Sequence, residues 1–214
     1  MTTHIFTVEG TIGAGKTTFL ERLQREWSEA TILLEPVGTW MSIQDKDGTS
    51  LLDHFYADKK RWSYTFQTAA FLTRILDMEK VLEDTSTSSS SSKPRIVITE
   101  RSVLTDRHVF AAMLHRNGDM TDMEHELYLR WYERYASKIP IKGILYLATD
   151  PTTAMERIAK RGREAEAGIP RAYMEDLDSQ HRLWLSETPL PIYTLAANEG
   201  YDIEGLKAWI GERT

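Results

Sequence analysis

A glycine-rich segment near the start of the sequence has the spacing of a phosphate-binding loop. GTIGAGKTT, residues 10–18, fits the pattern G-x-x-x-x-G-K-T. Glycines there let successive backbone N–H groups face an anion, while the lysine reaches the outer phosphates and the Thr17 hydroxyl binds Mg²⁺. The sequence therefore predicts a nucleoside triphosphate site, with these binding residues: Gly10, Gly13, Ala14, Gly15, Lys16, Thr17 and Thr18.

Two acidic residues directly follow short apolar runs that have the pattern of buried strands. Glu35 follows TILL, and Glu100 with Arg101 follows RIVIT. In a parallel sheet these positions share one edge with the phosphate loop. Glu35 can accept a proton from an attacking hydroxyl, Glu100 can hold Mg²⁺ directly or through water, and Arg101 can bind the phosphoryl group. The alternatives are a solvated loop acid for Glu35 and an ordinary helix start for Glu100.

A basic run, RIAKRGR, begins at residue 157. Arg157 and Arg161 have i, i+4 spacing on one helix face, and Arg163 follows in the predicted loop. Such a set can close over a triphosphate, so we predict an arginine-rich lid at about 160–168. Without the phosphate loop, a solvated basic face would be the simpler interpretation.

Polar and aromatic residues recur along a predicted helix at 58–83. Tyr56, Gln67 and Arg74 differ by 11 and 7 residues, which brings them to one face if a single continuous helix carries them. Phe71 lies one turn beyond Gln67. A glutamine amide can donate and accept at once, as the edge of a nucleobase requires. An amphipathic helix with incidental polar residues remains the alternative.

These residues need a scaffold of alternating strands and helices, and the sequence has that pattern. We predict strands at 4–8, 31–34, 95–99, 143–148 and 191–195. Helices are predicted near 16–28, 58–83, 102–117, 121–137, 151–161, 170–186 and 202–212. Nearly all-apolar strands alternating with helices are typical of an α/β fold, in which a five-stranded parallel sheet is covered on both faces.

Length and composition indicate one soluble domain over residues 1–214. A Ser-rich segment at 85–93 has the composition of a mobile loop, with a phosphorylation site as the alternative. The absence of cysteine excludes disulfides and thiolate chemistry, and a net charge of −6 argues against general nucleic-acid binding. The sequence enters a predicted strand without a targeting leader and has no long apolar run. We therefore expect a cytoplasmic protein without a membrane segment.

Five segments taken in order resemble the deoxyribonucleoside kinase family, in its deoxycytidine/deoxyguanosine kinase-like group. They span most of the chain between residues 4 and 196: VEGTIGAGKTTFL, EPVGTW, RWSYTFQTAAFLTR, ERSVLTDRHVF and RIAKRGREAEAGIP. The resemblance implies a three-layer P-loop kinase fold and a homodimer. It also implies transfer of the γ-phosphate of ATP, or another nucleoside triphosphate, to the 5′-hydroxyl of a deoxyribonucleoside. The absence of the base-reading N-K-x-D motif independently argues against a GTPase switch.

The resemblance also implies roles for individual residues. Glu35 matches the general base, Glu100 and Arg101 match its acid and arginine partners, and Lys16 belongs to the phosphate loop. Tyr56 and Glu166 match the pair that binds the sugar 3′-hydroxyl. Gln67 matches the amide that reads the base edge. The aromatic residues around the base would be Trp40, Phe71 and Phe110.

Two charged positions bear on the choice of substrate. Where the thymidine-accepting branch of the family has apolar or small residues, this sequence has Arg74 and Asp106. Such a pair would fill the space near a thymine methyl group, so we expect deoxycytidine, deoxyadenosine or deoxyguanosine to be preferred over thymidine. The alternatives are a nucleoside monophosphate kinase of the thymidylate type and a non-catalytic nucleotide-binding regulator. Ala165 and Gly200 depart from the family pattern, and the choice between ATP and UTP stays open.

Overall fold

The computed structural model describes residues 2–83, 94–136, 139–196 and 200–214. The predicted Ser-rich loop at 85–93 lies outside these ranges. Within them, no helix is both long enough and apolar enough to cross a bilayer.

A single five-stranded sheet organises the chain, and its neighbouring strands are all parallel. The strands are β1 (Thr3–Glu9), β2 (Thr31–Leu33), β3 (Arg95–Glu100), β4 (Ile141–Ala148) and β5 (Ile192–Ala196). Their order across the sheet is β2-β3-β1-β4-β5. Central β1 therefore ends between β3 and β4, and the glycine-rich loop that follows it opens at the middle of the carboxyl edge.

The helices connect these strands. They are α1 (Lys16–Glu26), α2 (Val37–Ser42), α3 (Leu51–Ala57), α4 (Lys59–Glu83), α5 (Val103–Thr105), α6 (Ala112–Arg116), α7 (Asp122–Tyr135), α8 (Pro151–Arg161), α9 (Arg171–Glu187) and α10 (Ile203–Gly211). A π-helical segment, Asp106–Ala111, joins α5 to α6, and a short 3-10 helix, Glu164–Glu166, follows α8.

Helices cover both faces of the sheet, as the apolar strands predict. On one face, Phe6 of β1 packs with Leu206 of α10. On the other, Ile144 of β4 packs with Leu177 of α9. Ile5 precedes Phe6 and therefore points to the opposite face, where it joins Met78 of α4. The predicted three-layer α/β class is confirmed.

The helix predicted at 58–83 is confirmed as α4, but the condition that one continuous helix carries Tyr56 together with Gln67 and Arg74 is not met. Ser50 and Asp53 form a reciprocal capping box that starts α3, and Asp58 leaves the helical conformation with φ −145° and ψ 84°. Tyr56 therefore lies on α3, whereas Gln67 lies on α4. The spacing argument reached the correct grouping for the wrong reason, because the two helices pack against each other.

The helix predicted at 102–117 is interrupted rather than regular. Its middle turns, Asp106–Ala111, are wound as a π-helix. Such wider turns are rare and occur often at functional sites. Here the wider turn carries both Asp106 and Phe110, whose side chains line the same cavity.

Candidate active site

The glycine-rich loop is shaped by backbone conformations that only glycine adopts easily. Gly10, Gly13 and Gly15 have φ values of 149°, 76° and 96°. A Cβ atom on Gly10 would lie 2.8 Å from the carbonyl oxygen of Leu147, so a side chain is also excluded by space. The loop thus forms a compact anion-binding turn at the start of α1, which begins at Lys16.

Lys16 is buried and folds back onto the loop. Its Nζ donates hydrogen bonds to the carbonyl oxygens of Thr11 at 2.9 Å and Gly10 at 3.3 Å. Burial and the nearby positive charge of Arg101 lower the pKa of Lys16 to about 7. An anionic phosphate in the loop would favour the protonated form of this amine.

Two oxygen-bearing side chains meet beside the loop at the end of β3. The Thr17 hydroxyl donates to Glu100 Oε1 over 2.8 Å, and the backbone N–H of Glu35 lies 3.4 Å from Glu100 Oε2. Among the described residues, no group of three or more His, Cys, Asp or Glu side chains could hold a metal ion. A hydroxyl and a carboxylate nevertheless fit Mg²⁺, which retains waters and takes further oxygens from a phosphate.

The Glu35 carboxylate lies between two guanidinium groups. Its Oε1 is 3.2 Å from Arg74 NH2 and 3.2 Å from Arg101 Nε. Burial by itself would raise the pKa of Glu35, but Arg101, Arg74 and Lys16 outweigh it and hold that pKa below its usual value. Glu35 is therefore an ionised acceptor at neutral pH, and its position after β2 is as predicted.

Arg101 is held in an unusual conformation. Among the residues that the structure describes, it is the one non-glycine residue with positive φ, at 62°. Its NH1 donates to the Gly10 carbonyl over 2.8 Å, and its guanidinium lies 4.9 Å from the centre of the Phe110 ring. These contacts fix a buried cation between the glycine-rich loop and Glu35.

Arg74 and Asp106 form the buried pair that the sequence predicted. Arg74 Nε donates to Asp106 Oδ2 over 2.9 Å, and NH2 lies 3.4 Å from Oδ1. Arg74 NH1 donates to the Glu100 carbonyl over 2.8 Å. A two-pronged contact of this kind fixes the orientation of the guanidinium. The pair connects α4 to the π-helical segment and continues directly to Glu35.

A cavity begins at these charges and extends between α2, α3 and α4. Fifteen of the predicted site residues line it: Gly13, Lys16, Thr17, Glu35, Trp40, Tyr56, Gln67, Arg74, Glu100, Arg101, Asp106, Phe110, Arg161, Arg163 and Glu166. Gln67 is buried, and its Oε1 has no hydrogen-bond partner among the residues that the structure describes. Because an unpaired buried acceptor is costly, this oxygen marks where a bound molecule would place a donor.

The prediction that Phe71 surrounds a bound base is wrong. Phe71 is 1% exposed and packs in the core, with its ring 5.8 Å from that of Tyr128. The aromatic walls of the cavity include Phe55 and Phe66, whose rings stack 4.5 Å apart. Phe66 directly precedes Gln67, and the break at Asp58 turns α3 back so that Phe55 meets it.

Several cavity residues were missed, two of them, Leu52 and Phe55, because α3 was missed. Val37, Leu52, Phe55 and Phe66 line the cavity but were not among the predicted site residues. The capping-box pattern S-x-x-D at 50–53, followed by an apolar run, was the available signal for α3. It would have brought Leu52 and Phe55 into consideration.

A second cavity lies over the glycine-rich loop and the predicted lid. Arg157, Arg161 and Arg163 line it, together with Thr17 and Thr18. Arg157 NH1 donates to the Ala14 carbonyl over 3.0 Å. The three predicted lid arginines are therefore gathered around one anion site.

Glu166 joins the lid to the first cavity. It is buried, and it pairs with Arg161 and, over 2.6 Å, with Arg163. It lines the first cavity with Tyr56. Burial, and then the negative charges of neighbours that include Glu166, raise the pKa of Tyr56 well above its usual value, so its hydroxyl stays protonated.

The two cavities share the loop residues and Glu100, so they form one continuous site. One half is basic and suits a chain of phosphates. The other half is narrow, has aromatic walls and ends in polar groups. A carboxylate acceptor, Glu35, lies on the wall of the second half, close to the junction.

Comparison with known proteins gives a consistent result over most of the chain. A family model described as "Deoxynucleoside kinase" matches residues 6–207. The chain is 34% identical to deoxycytidine kinase 2 of Gallus gallus, over 94% of this chain and 84% of the relative. It is 33% identical to deoxycytidine kinase of Homo sapiens, over 91% of this chain and 84% of the relative.

A further relative has a different substrate in its name. The mitochondrial deoxyguanosine kinase of Xenopus laevis is 34% identical, over 84% of this chain and 72% of the relative. The chain is thus about equally similar to relatives named for cytosine and for guanine nucleosides. These identities do not show which base a substrate of this chain would carry.

Proposed function

The chain belongs to the deoxynucleoside kinase family, and on that premise we propose that it transfers a γ-phosphate to the 5′-hydroxyl of a deoxyribonucleoside. The donor is ATP or another nucleoside triphosphate. The observation that carries this proposal is Glu35, an ionised carboxylate on the cavity with aromatic walls, close to the glycine-rich loop. A base in that position meets a hydroxyl that faces the terminal phosphate.

Glu35 acts as the general base. As the 5′-hydroxyl oxygen approaches the γ-phosphorus, its proton passes to a carboxylate oxygen of Glu35. The low pKa of Glu35 keeps this acceptor free of protons in the resting site. Arg74 and Arg101 hold the carboxylate by Oε1, which orients it for the incoming hydroxyl.

Positive charge stabilises the transferred phosphoryl group. Lys16 moves its ammonium from the loop carbonyls to the β- and γ-phosphates, and Arg101 lies on the side of the acceptor. Arg157, Arg161 and Arg163 close over the phosphates from the lid. Fixed charges in a site that excludes water stabilise the transition state more strongly than they would in water.

Thr17 and Glu100 would hold Mg²⁺. When bound, that ion would neutralise part of the negative charge of the phosphates. Thr17 supplies a hydroxyl oxygen, and Glu100 supplies a carboxylate oxygen directly or through water.

The sugar and base occupy the aromatic half of the site. Tyr56 and Glu166 bind the 3′-hydroxyl, the tyrosine as a hydrogen-bond donor and the carboxylate as an acceptor. Gln67 reads the base edge, because its unpaired Oε1 accepts from a ring N–H or an amino group. Trp40 and Phe110 pack against the base, together with Phe66.

The Arg74–Asp106 pair favours deoxycytidine, deoxyadenosine or deoxyguanosine over thymidine. Both side chains are almost fully buried and are held to each other. They take up space that a 5-methyl group would need, and they present charged hydrogen-bonding groups to the base.

The test is a phosphoryl-transfer assay in which the acceptor is either a deoxynucleoside or its 5′-monophosphate. We expect the deoxynucleoside to be converted to a 5′-monophosphate, identified by its phosphorus NMR signal, and the monophosphate to be a poor acceptor. Faster phosphorylation of the monophosphate would contradict the proposal. ATP turnover without any phosphorylated product, or ATP binding without turnover, would also contradict it.

The active molecule is a homodimer that associates through α4 and α7. These two helices pack together and leave large apolar side chains partly exposed at i, i+4 spacings, namely Leu72 and Leu76 on α4 and Leu127 and Trp131 on α7. Met123, at the start of α7, is 82% exposed. Large exposed apolar side chains on two adjacent helices are typical of a subunit interface.

A further inference from the structure

A fully buried carboxyl group lies beneath the active site, and the proposed reaction assigns it no role. Glu9 is the last residue of β1 and is 0% exposed. Its Oε1 accepts hydrogen bonds from Thr7 Oγ1 at 2.6 Å and from Ser102 Oγ at 2.8 Å. In the described part of the chain no ion pair to Glu9 is found, and its Oε2 has no hydrogen-bond partner. A buried acid without a counter-ion is costly, so its retention needs an explanation.

The hydrogen bonds of Glu9 lead to the most strained backbone position of the site. Ser102, its partner, directly follows Arg101, which has a φ of 62°. Left-handed backbone is unfavourable for a non-glycine residue and persists only when its surroundings enforce it. Because arginine is needed at this position for its side chain, glycine cannot relieve the strain.

Hydrogen bonds on both sides of Arg101 hold its backbone in the left-handed conformation. Its backbone N–H donates to the Val8 carbonyl at 3.0 Å, and its carbonyl accepts from Thr99 Oγ1 at 2.7 Å. On the far side, the Ser102 hydroxyl is held by Glu9. The ends of β1 and β3 are thereby tied together around the one strained residue.

We propose that Glu9 is a positioning residue, which holds Arg101 in its left-handed conformation through Ser102 and so aims the guanidinium at Glu35 and the transferred phosphoryl group. This inference rests on the proposed phosphoryl transfer. Glu9 acts without touching either substrate, since it does not line either cavity. Burial raises the pKa of Glu9, and hydrogen bonds from Thr105 and Thr7 only partly offset this effect.

Two substitutions separate the acceptor function of Glu9 from its charge. Glu9→Leu keeps a similar volume and removes the acceptor oxygen. Glu9→Gln is the matched control, because its amide oxygen can still accept from Ser102 and Thr7. We expect Glu9→Leu to lower kcat by about tenfold or more with both KM values within about threefold, the pattern of a displaced catalytic group. Glu9→Gln should stay within about threefold of wild type in kcat.

A double-mutant cycle with Arg101 decides whether Glu9 acts through it. In an Arg101→Ala background there is no guanidinium to aim, so Glu9→Leu should cause little further loss of kcat. An equal loss in both backgrounds would overturn the proposal and assign Glu9 a general role in folding. An unchanged kcat for Glu9→Leu, or a Glu9→Gln variant as impaired as Glu9→Leu, would also overturn it.

Thr99→Val gives a second measurement in case Glu9→Leu does not fold. It removes the bond to the Arg101 carbonyl from a buried strand position that favours valine. The same loss of kcat with little change in KM is expected, and an unchanged kcat would contradict the proposal.

The activity of the wild-type enzyme distinguishes a failure of the proposed reaction from a failure of the proposed role of Glu9. An inactive wild-type enzyme contradicts the proposed reaction, whereas an active one with unaffected variants contradicts only the role of Glu9.

Discussion

Two guanidinium groups keep the Glu35 carboxylate ionised although its burial opposes this. At the scale of single residues, the same two contacts therefore have two effects on Glu35. Arg74 and Arg101 lower the pKa of Glu35 and also fix its orientation. A general base with a low pKa accepts a proton less readily, but it remains available across the physiological pH range.

Replacing Glu35 with Gln tests its role directly. We predict that kcat falls by roughly 10²-fold or more, the scale of lost general-base catalysis, because the amide cannot accept a proton. The KM values should change much less. Steady-state kinetics measure both effects, and an unchanged kcat would remove Glu35 from its role.

Lys16 should take up a proton when a triphosphate binds. With a pKa of about 7, most of its amine is neutral at pH 8, and the anionic phosphates of the ligand raise that pKa. Titration calorimetry with MgATP at pH 8, in buffers of different ionisation enthalpy, should therefore report uptake of close to one proton. At pH 6 the amine is already protonated, so uptake by Lys16 should be small. Equal heats in all buffers at pH 8 would contradict the low pKa.

At the scale of elements, the site depends on contacts between helices that are separate in the sequence. The Arg74–Asp106 pair ties α4 to the π-helical segment, and both side chains are nearly inaccessible to solvent. Removing one member of a buried ion pair leaves a charge without compensation, whereas removing both members does not.

Arg74→Met should therefore destabilise the protein by about 3–5 kcal/mol, because it leaves Asp106 buried and unpaired. The double variant Arg74→Met/Asp106→Ala is the matched control, and we expect it to recover part of that loss. Urea unfolding measures both free energies. A single variant as stable as wild type would show that the pair is not a structural link between these elements.

Elements whose sequence pattern lies within a few consecutive residues could be predicted, whereas elements that depend on packing between distant segments could not. The phosphate loop and the residues after β2 and β3 were predicted from sequence because a strand, a turn and a functional residue are consecutive there. The separate helix α3 and the π-helical turn at Asp106 were missed, although the start of α4 after Asp58 agrees with the predicted helix at 58–83. Phe71 was also misassigned. Helical periodicity selected its face, but only tertiary packing decides between Phe66 and Phe71.

At the scale of the whole molecule, the apolar surface on α4 and α7 predicts self-association. Leu76→Arg combined with Trp131→Arg places two charges on that surface and should convert a dimer into a monomer in sedimentation measurements. Leu183→Arg is the control, because Leu183 is similarly exposed but lies on α9. A wild-type monomer, or a dimer that persists in the double variant, would contradict this interface.

The choice of substrate depends on the scaffold, on the helices and on single residues together. The α/β scaffold places the phosphate loop beside Glu35, the helices α3 and α4 build the cavity with aromatic walls, and Arg74 with Asp106 lines that cavity next to Glu35. The most direct measurement is kcat/KM for deoxycytidine, deoxyadenosine, deoxyguanosine and thymidine with one triphosphate donor. We predict that at least one of the first three clearly exceeds thymidine. A value for thymidine equal to or above all three others would contradict the proposed base selection, and no phosphorylation of any of them would contradict the proposed reaction.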